Sequence, residues 1–459
     1  MLVYGYGIGA LGCGASYYFM SAYFVLFLTN SVGLSAGIAG TISSIAMMVE
    51  VVTGMASGNL SDRCNSKLGK RRPFMLASSI AMFPILFFIL RTIDGSTPVK
   101  IAYYLFFAIL FRIFFSNYDI PYNAMGAEVI TDYDARTRLR TIARAVSIVG
   151  NAIGYVVPLV VLDMFVNQES GWGMIGIILA VSCGGSWLVS VILTREPEFE
   201  HTVAKQKNFF VGIIKSYLQL LKLKPMQQLI IYKIAFSCAF ALSNVVTLYF
   251  LQYNLGLDER YSSYMYVFTI IIFIISTPII DKMAIVKSKA WQQMVSFLVC
   301  AIIGIVIYFV APNSVIACAV YIGLFAFVQS GFWQLSGSLF YDIVEVDEYV
   351  NINRREGDIT SFVSVLGTFI TAAMVQAFGI LFDLAGFDAS LAVQPTSVNV
   401  FLNAAFILVP CVCLLGGAYV LKVFPINKKT FTSLQKAIEL RNKGEDYSEY
   451  MDDVNKVIG

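Results

Sequence analysis

The chain has 459 residues, 58% of them hydrophobic and only 13% charged, with a mean hydropathy of +0.73; a soluble globule is excluded, because so apolar a surface cannot be kept in water. The net charge of +3, from 32 basic and 29 acidic residues, forms no basic stripe and points to no nucleic acid. Runs such as 101–115 and 400–420 are apolar on every face, whereas an outer-membrane barrel alternates polarity over ~10-residue stretches, so the spans are helical.

A membrane-crossing helix takes roughly 20 apolar residues. The pattern places helices 1 to 6 near 3–29, 35–58, 74–93, 99–127, 142–165 and 172–194, and helices 7 to 12 near 228–253, 261–281, 290–311, 314–343, 359–386 and 398–424. The stretch between the two sets carries Glu196, Glu198, Glu200, His201, Lys205, Lys207, Lys215, Lys222 and Lys224 and reads as a polar surface segment. The expected organisation is therefore a six-helix bundle over 1–194, a connector over 195–227, a second six-helix bundle over 228–424, and a polar tail over 425–459.

Basic residues gather on alternate loops: Arg63, Lys67, Lys70, Arg71 and Arg72 after helix 2, Arg136, Arg138 and Arg140 after helix 4, and Lys282, Lys287 and Lys289 after helix 8. The opposite loops hold little beyond Arg91, Lys100 and Arg260. Cytoplasmic loops carry the excess of Lys and Arg, so both termini and the connector are expected on the cytoplasmic side of the inner membrane. The halves echo one another. Asp62 with Lys67 and Lys70 follows helix 2 as Asp281 with Lys287 and Lys289 follows helix 8, and Glu128 and Asp134 after helix 4 match Asp342 and Glu348 after helix 10. Paired six-helix repeats are a transporter signature.

Several tempting signals carry no chemistry. Gly7, Gly9 and Gly12 satisfy a dinucleotide pattern but lie inside an apolar helix with no preceding strand, where small residues allow close helix contact. The eight cysteines have no metal-ligand spacing and read as small buried hydrophobes. His201, the only histidine, falls in the connector, and no phosphate-binding loop or nucleophile constellation is present, so energy is expected from a gradient and the chain is not an enzyme.

Ionisable groups inside the spans are the candidates for function, since a charge at a helix centre costs ~2.5 to 3.5 kcal/mol on insertion scales. Counting ~1.5 Å per residue from the basic loops, Glu50 in helix 2 lies ~18 Å deep, Asp119 in helix 4 ~13 Å and Arg144 in helix 5 ~6 Å, at overlapping side-chain depths that predict one shared polar cavity. Arg112, seven residues before Asp119, is on the same helix face; it either contributes a positive charge to that cavity or snorkels or pairs elsewhere.

The loop Gly58-Asn59-Leu60-Ser61-Asp62-Arg63-Cys64-Asn65-Ser66-Lys67-Leu68-Gly69-Lys70-Arg71-Arg72-Pro73 resembles the loop 2-3 signature of the major facilitator superfamily, in the longer form of the glycoside-pentoside-hexuronide:cation symporters, the melibiose permease family. Val32-Gly33-Leu34-Ser35, Asp119-Ile120-Pro121-Tyr122, residues 134–139 and Arg354-Arg355-Glu356-Gly357 are similar to other landmarks of that family. The resemblance implies an all-α membrane protein with the major facilitator fold, twelve transmembrane helices in two six-helix bundles. It implies that Asp119 and Arg144 bind a sugar and that Trp333 offers a ring face to it, and it places Glu50, with Thr53 beside it, at a cation-coupling site. Gly58, Asp62, Arg63, Lys70, Arg71, Arg72, Arg354 and Arg355 form a gating loop set, read equally well as topology-fixing and headgroup-contacting charges.

Departures from the family pattern stand beside these matches. The second acidic position of the helix 2 cation site falls on Gly54, and a helix 11 lysine corresponds to Val365. A hard cation needs several oxygens, so a proton is expected as coupling ion over sodium, with no other cofactor. If Arg112 replaces the missing lysine, the substrate carries a carboxylate. The residue-level alternatives are an Asp119–Arg144 salt bridge without ligand, plain packing for Trp333, and Glu50 as the structural partner of a basic residue. The expected partners are a small sugar or sugar acid and membrane lipid, for a protein working as a monomer; a lysolipid carrier, an uncoupled facilitator and a non-transporting sensor are the rival functions.

Overall fold

The computed structural model describes residues 2–458 except 65, 129–132, 166, 195–208, 258, 353–354 and 392. Every regular element among them is helical. Eleven helices are long and apolar enough to cross a membrane, and a bent pair makes a twelfth. That pair is α1, formed by Tyr4–Ala22 and Phe24–Ser31 with a 47° bend between them. There follow α2 (Ala36–Arg63), α3 (Arg72–Ile89), α4 (Thr97–Glu128), α5 (Tyr133–Met164) and α6 (Gln168–Leu193). The second set is α7 (Lys224–Asn254), α8 (Glu259–Val286), α9 (Lys289–Val310), α10 (Val315–Asn351), α11 (Glu356–Leu384) and α12 (Thr396–Lys422). Serine caps begin several of them: the Ser35, Ser288 and Ser314 hydroxyls accept the N–H of Ile38, Trp291 and Ala317 at the starts of α2, α9 and α10.

The repeat is visible in backbone irregularities. Single π-turns occur at Phe27–Ser31 in α1 and Phe250–Asn254 in α7, and at Val181–Gly185 in α6 and Ala404–Leu408 in α12. Both pairs are separated by 223 positions (27 to 250, 181 to 404). The chain leaves α1 and α7 alike: Gly33 and Gly256, again 223 apart, have φ of +76° and +60°, a left-handed turn that favours glycine.

The segments beyond the spans are more ordered than their polarity suggests. Part of the connector forms a helix, Phe209–Leu220, and the tail folds into Lys428–Lys443 and Met451–Ile458. Leu434, Ala437, Ile438, Val454 and Val457 are buried on the tail helices.

The chain divides into two compact units. The first is Met1–Ala204 with Asn244–Tyr266 and Ala372–Phe401; the second is Lys205–Ser243, Val267–Thr371 and Leu402–Gly459. In the first unit α1 lies almost in backbone contact with α5, because a Cβ at Gly150 or Gly154 would stand 2.1 Å from the Leu11 or Ala15 carbonyl oxygen. The glycines of the apparent dinucleotide pattern serve the same end, Gly9 facing Tyr118 of α4 and Gly12 facing Trp187 of α6. Those two aromatic residues stack at 4.0 Å.

The same unit holds a tight contact between the start of α2 and the end of α11. The Asp383 carboxylate accepts the N–H of Ala36 at 2.8 Å and of Gly37 at 2.7 Å, and the Ser44 hydroxyl donates to the Ala372 carbonyl at 2.8 Å. A carboxylate on a helix N-terminus meets unpaired N–H groups and the positive end of the helix dipole.

In the second unit Lys289, at the start of α9, donates to both oxygens of Asp342 in α10 at 2.8 Å. The tail helix Lys428–Lys443 is pinned to the end of α10, where Arg441 donates to the carbonyls of Tyr349 and Glu348 at 2.8 and 3.2 Å.

Candidate functional site

In the first unit the expected polar groups surround the middle of α1. Arg112 of α4 donates from Nη1 to Oε2 of Glu50 in α2 at 2.7 Å, with the two side chains only 5% and 19% exposed. Of the two readings open for Arg112, pairing is the one realised. The Tyr17 hydroxyl of α1 lies within electrostatic range of both charges. One turn along α2, the Thr53 hydroxyl is held by the Val49 carbonyl at 2.9 Å and the Ser116 hydroxyl of α4 at 3.1 Å, so it is directed at α4 and not at the Glu50 carboxylate. Gly54, the vacant acidic position, faces α4 directly: a Cβ there would stand 2.9 Å from the Ile120 methyl.

Asp119 is half-buried. The Cys13 thiol of α1 and the Asn123 amide lie beside its carboxylate, and Glu50 is in electrostatic range. Arg144 of α5 is exposed and in range of the Tyr18 hydroxyl, and Tyr18 meets Tyr266 edge to face at 6.3 Å. Tyr266 in turn stacks on Tyr155 at 4.0 Å. No Asp119–Arg144 ion pair exists among the described residues, so the salt-bridge alternative is not what the fold builds. The two groups address different sides of α1, since Cys13 and Tyr18 are five residues apart and about 140° around the helix at 3.6 residues per turn, so the one shared cavity expected from their similar depths does not bring Arg144 to Asp119.

Trp333 of α10 belongs to the second unit and is 41% exposed. Its ring meets Phe236, Phe240 and Phe332 edge to face at 6.1, 5.7 and 5.6 Å, contacts that hold the indole upright without covering it. Beside it is a residue the sequence reading passed over. Lys233 of α7 places its ammonium 4.9 Å from the Phe332 ring centroid and 5.8 Å from that of Trp333. It meets the criterion used for Glu50 and Asp119, an ionisable group within an apolar span; nine residues of α7 separate it from Lys224, about 13 Å of helix rise, so it is no terminal charge.

The gating residues divide. Gly58 packs with its Cα face 3.6 Å from Ile120, measured from where a Cβ would stand. Arg72 donates from Nε and Nη2 to the Val191 carbonyl at 3.2 and 2.9 Å, closing the C-terminal end of α6 within its own half. Arg71 is buried and Lys70 lies beside it in the same loop. Arg355 joins three elements: its Nε donates to Asp347 at 2.8 Å and its Nη1 to Gln219 of the connector helix at 2.6 Å, at the entrance to α11. The Asp347 carboxylate raises the Arg355 pKa further above its already high ordinary value. Tyr217 and Ser361 share a 2.7 Å hydrogen bond at the same junction. The side chains of Asp62 and Arg63, and Arg354 altogether, lie outside the described residues.

The profile of a family described as MFS/sugar transport protein matches residues 5–428. An isoprimeverose transporter of Lactiplantibacillus pentosus is 24% identical, with 93% of this chain and 88% of its own length covered. An uncharacterized symporter of Bacillus subtilis (strain 168) is 23% identical, with 98% and 96% covered. The solved structure of a D-xylose-proton symporter matches with a TM-score of 0.63 at 15% identity, over 90% of this chain and 95% of that one; at that identity the likeness is one of fold, the twelve-span major facilitator fold.

Proposed function

Because the chain belongs to the MFS/sugar transport protein family, we propose that it carries a glycoside, pentoside or hexuronide across the cytoplasmic membrane by alternating access, in symport with a proton. It is a multi-pass membrane transporter and not an enzyme. The observation that carries the reading is the Asp119 carboxylate, which pairs with no cation among the described residues, beside the compensated Glu50–Arg112 pair. A carboxylate that no described cation pairs with is free to accept sugar hydroxyls; the exposed Arg144 guanidinium on another side of α1 and, within the second unit, the exposed Trp333 ring each offer a separate contact, a donor and a stacking face.

The coupling ion follows from the oxygens left over. Sodium is held by several oxygens at once, yet one Glu50 oxygen is committed to Arg112, the Thr53 hydroxyl is directed at Ser116, and Gly54 brings none. A proton needs one carboxylate. Protonation of Glu50 removes the charge that holds Arg112, so proton arrival loosens the contact between α2 and α4. Both termini lie on the cytoplasmic side with the basic loops, lipid covers the apolar outer faces, and the monomer is the working unit.

Uptake of a labelled sugar panel into vesicles under imposed pH or sodium gradients tests this. Wild type accumulates substrate with the pH gradient alone; Glu50→Gln loses accumulation but keeps exchange of labelled for unlabelled sugar, and Asp119→Asn loses both. Equal accumulation by wild type and Glu50→Gln under every gradient removes Glu50 from the mechanism.

A further inference from the structure

The second unit contains a cation that nothing in the fold has yet employed. Lys233 points its ammonium at the faces of Phe332 and Trp333, and no described carboxylate forms an ion pair with it. Its position is built, not incidental. Gly367 of α11 leaves the space it occupies, since a Cβ there would stand 3.0 Å from the Lys233 Cε and 3.3 Å from Nζ. Aromatic faces attract a cation through their quadrupole but accept none of its three hydrogen bonds in the manner of an oxygen. An ammonium at ~13 Å along a membrane helix, held over ring faces and lacking a counter-ion, is half satisfied. The missing half is an anionic oxygen.

We propose that Lys233 is the receptor for an anionic substituent, a carboxylate or a sulfonate, on the transported sugar, with the sugar ring set against the adjacent exposed Trp333. This rests on the transport reading above and narrows it to acidic sugars. Arg112 is not needed as the acid receptor, because Glu50 already holds it. A charge-assisted hydrogen bond from an ammonium to a carboxylate is among the stronger polar contacts available, and it gives selection against a neutral sugar of the same shape, which leaves the ammonium half satisfied.

The test uses matched probes on the full chain in nanodiscs: methyl β-D-glucuronide, its 6-sulfonate analogue and methyl β-D-glucoside, compared by binding and by uptake. Wild type is expected to prefer one or both acidic probes over the glucoside, and the two acidic arms distinguish carboxylate from sulfonate. Lys233→Met is expected to weaken acidic binding by about 10- to 100-fold with the glucoside unaffected, and Lys233→Arg to keep the preference. Gly367→Ala, which pushes a methyl against the ammonium from α11, provides a second variant that leaves Lys233 in place and is expected to lower the same preference. Equal binding of acidic and neutral probes by wild type, or an acid preference that survives Lys233→Met, overturns the assignment and leaves sugar transport standing. Failure of every sugar, acidic and neutral, to bind or move overturns the transport reading and the Lys233 assignment with it.

Discussion

Glu50 and Arg112 place opposite charges at 2.7 Å with little exposure, and the energetics of such a pair are asymmetric. Removing one partner leaves a buried charge uncompensated and costs about 3–5 kcal/mol, whereas replacing both by apolar side chains of similar volume is close to neutral. Glu50→Ala or Arg112→Ala is therefore expected to lower the thermal stability of the detergent-solubilised protein by that order, and Glu50→Met with Arg112→Met to recover most of it. Cysteine-reactive dye fluorescence during heating follows this, the buried thiols of Cys183, Cys300 and Cys318 reporting exposure; a double variant no more stable than the singles overturns the pair as the source. Sequence spacing singled out both residues because each is an ion where hydrocarbon was expected, but it left their partnership open. The geometry that decides is the facing of α2 and α4, which depends on helix rotation that apolar runs hydrophobic on all sides do not encode. Lys233 went unremarked for a related reason: its cavity is made by Gly367, 134 residues away (233 to 367).

Helices were legible as elements wherever long apolar runs made them. The connector and tail helices were not, because a helix that buries only one stripe on a surface is mostly polar by composition, and its stripe becomes visible only with the groove it fills. The π-turns, too, escaped a reading based on charge, although the Val32-Gly33-Leu34 and Leu255-Gly256-Leu257 segments 223 residues apart are the sequence trace of two of them. The α1–α5 contact is where a single side chain acts on a whole element. Gly150 and Gly154 stand so near α1 that any Cβ would meet backbone oxygen, an obstacle that cannot rotate aside. Gly150→Val is expected to push α1 off α5, displacing Cys13, Tyr17 and Tyr18 from Asp119, Glu50 and Arg144. The measurable result is loss of sugar binding together with a lowered melting temperature. By contrast Gly416→Val, at a position with nothing within 4 Å, is expected to leave both unchanged.

At the scale of the whole molecule, transport by alternating access requires contacts on each face to form and break in turn. The first unit gathers the six opening spans with Asn244–Tyr266 and Ala372–Phe401 of the second half, on the face opposite the basic loops, and the α2–α11 contact closes it there. The twelve-span repeat was legible in the paired loop charges; the α2–α11 contact was not, because it rests on single groups such as Asp383 meeting the α2 N-terminus, which no loop charge marks. At Gly40 a Cβ would stand 3.0 Å from the Val375 carbonyl, so a bulky residue there is incompatible with the closed face while costing the separated state nothing. A substitution with such differential effect shifts populations toward the state it spares. Gly40→Trp is expected to stop sugar accumulation without loss of folded protein, and to raise labelling of Ser44→Cys, buried in the contact, by a membrane-impermeant maleimide applied opposite the tail. Unchanged labelling with transport intact would mean that α2 and α11 do not separate during the cycle, and that access on this face is controlled elsewhere.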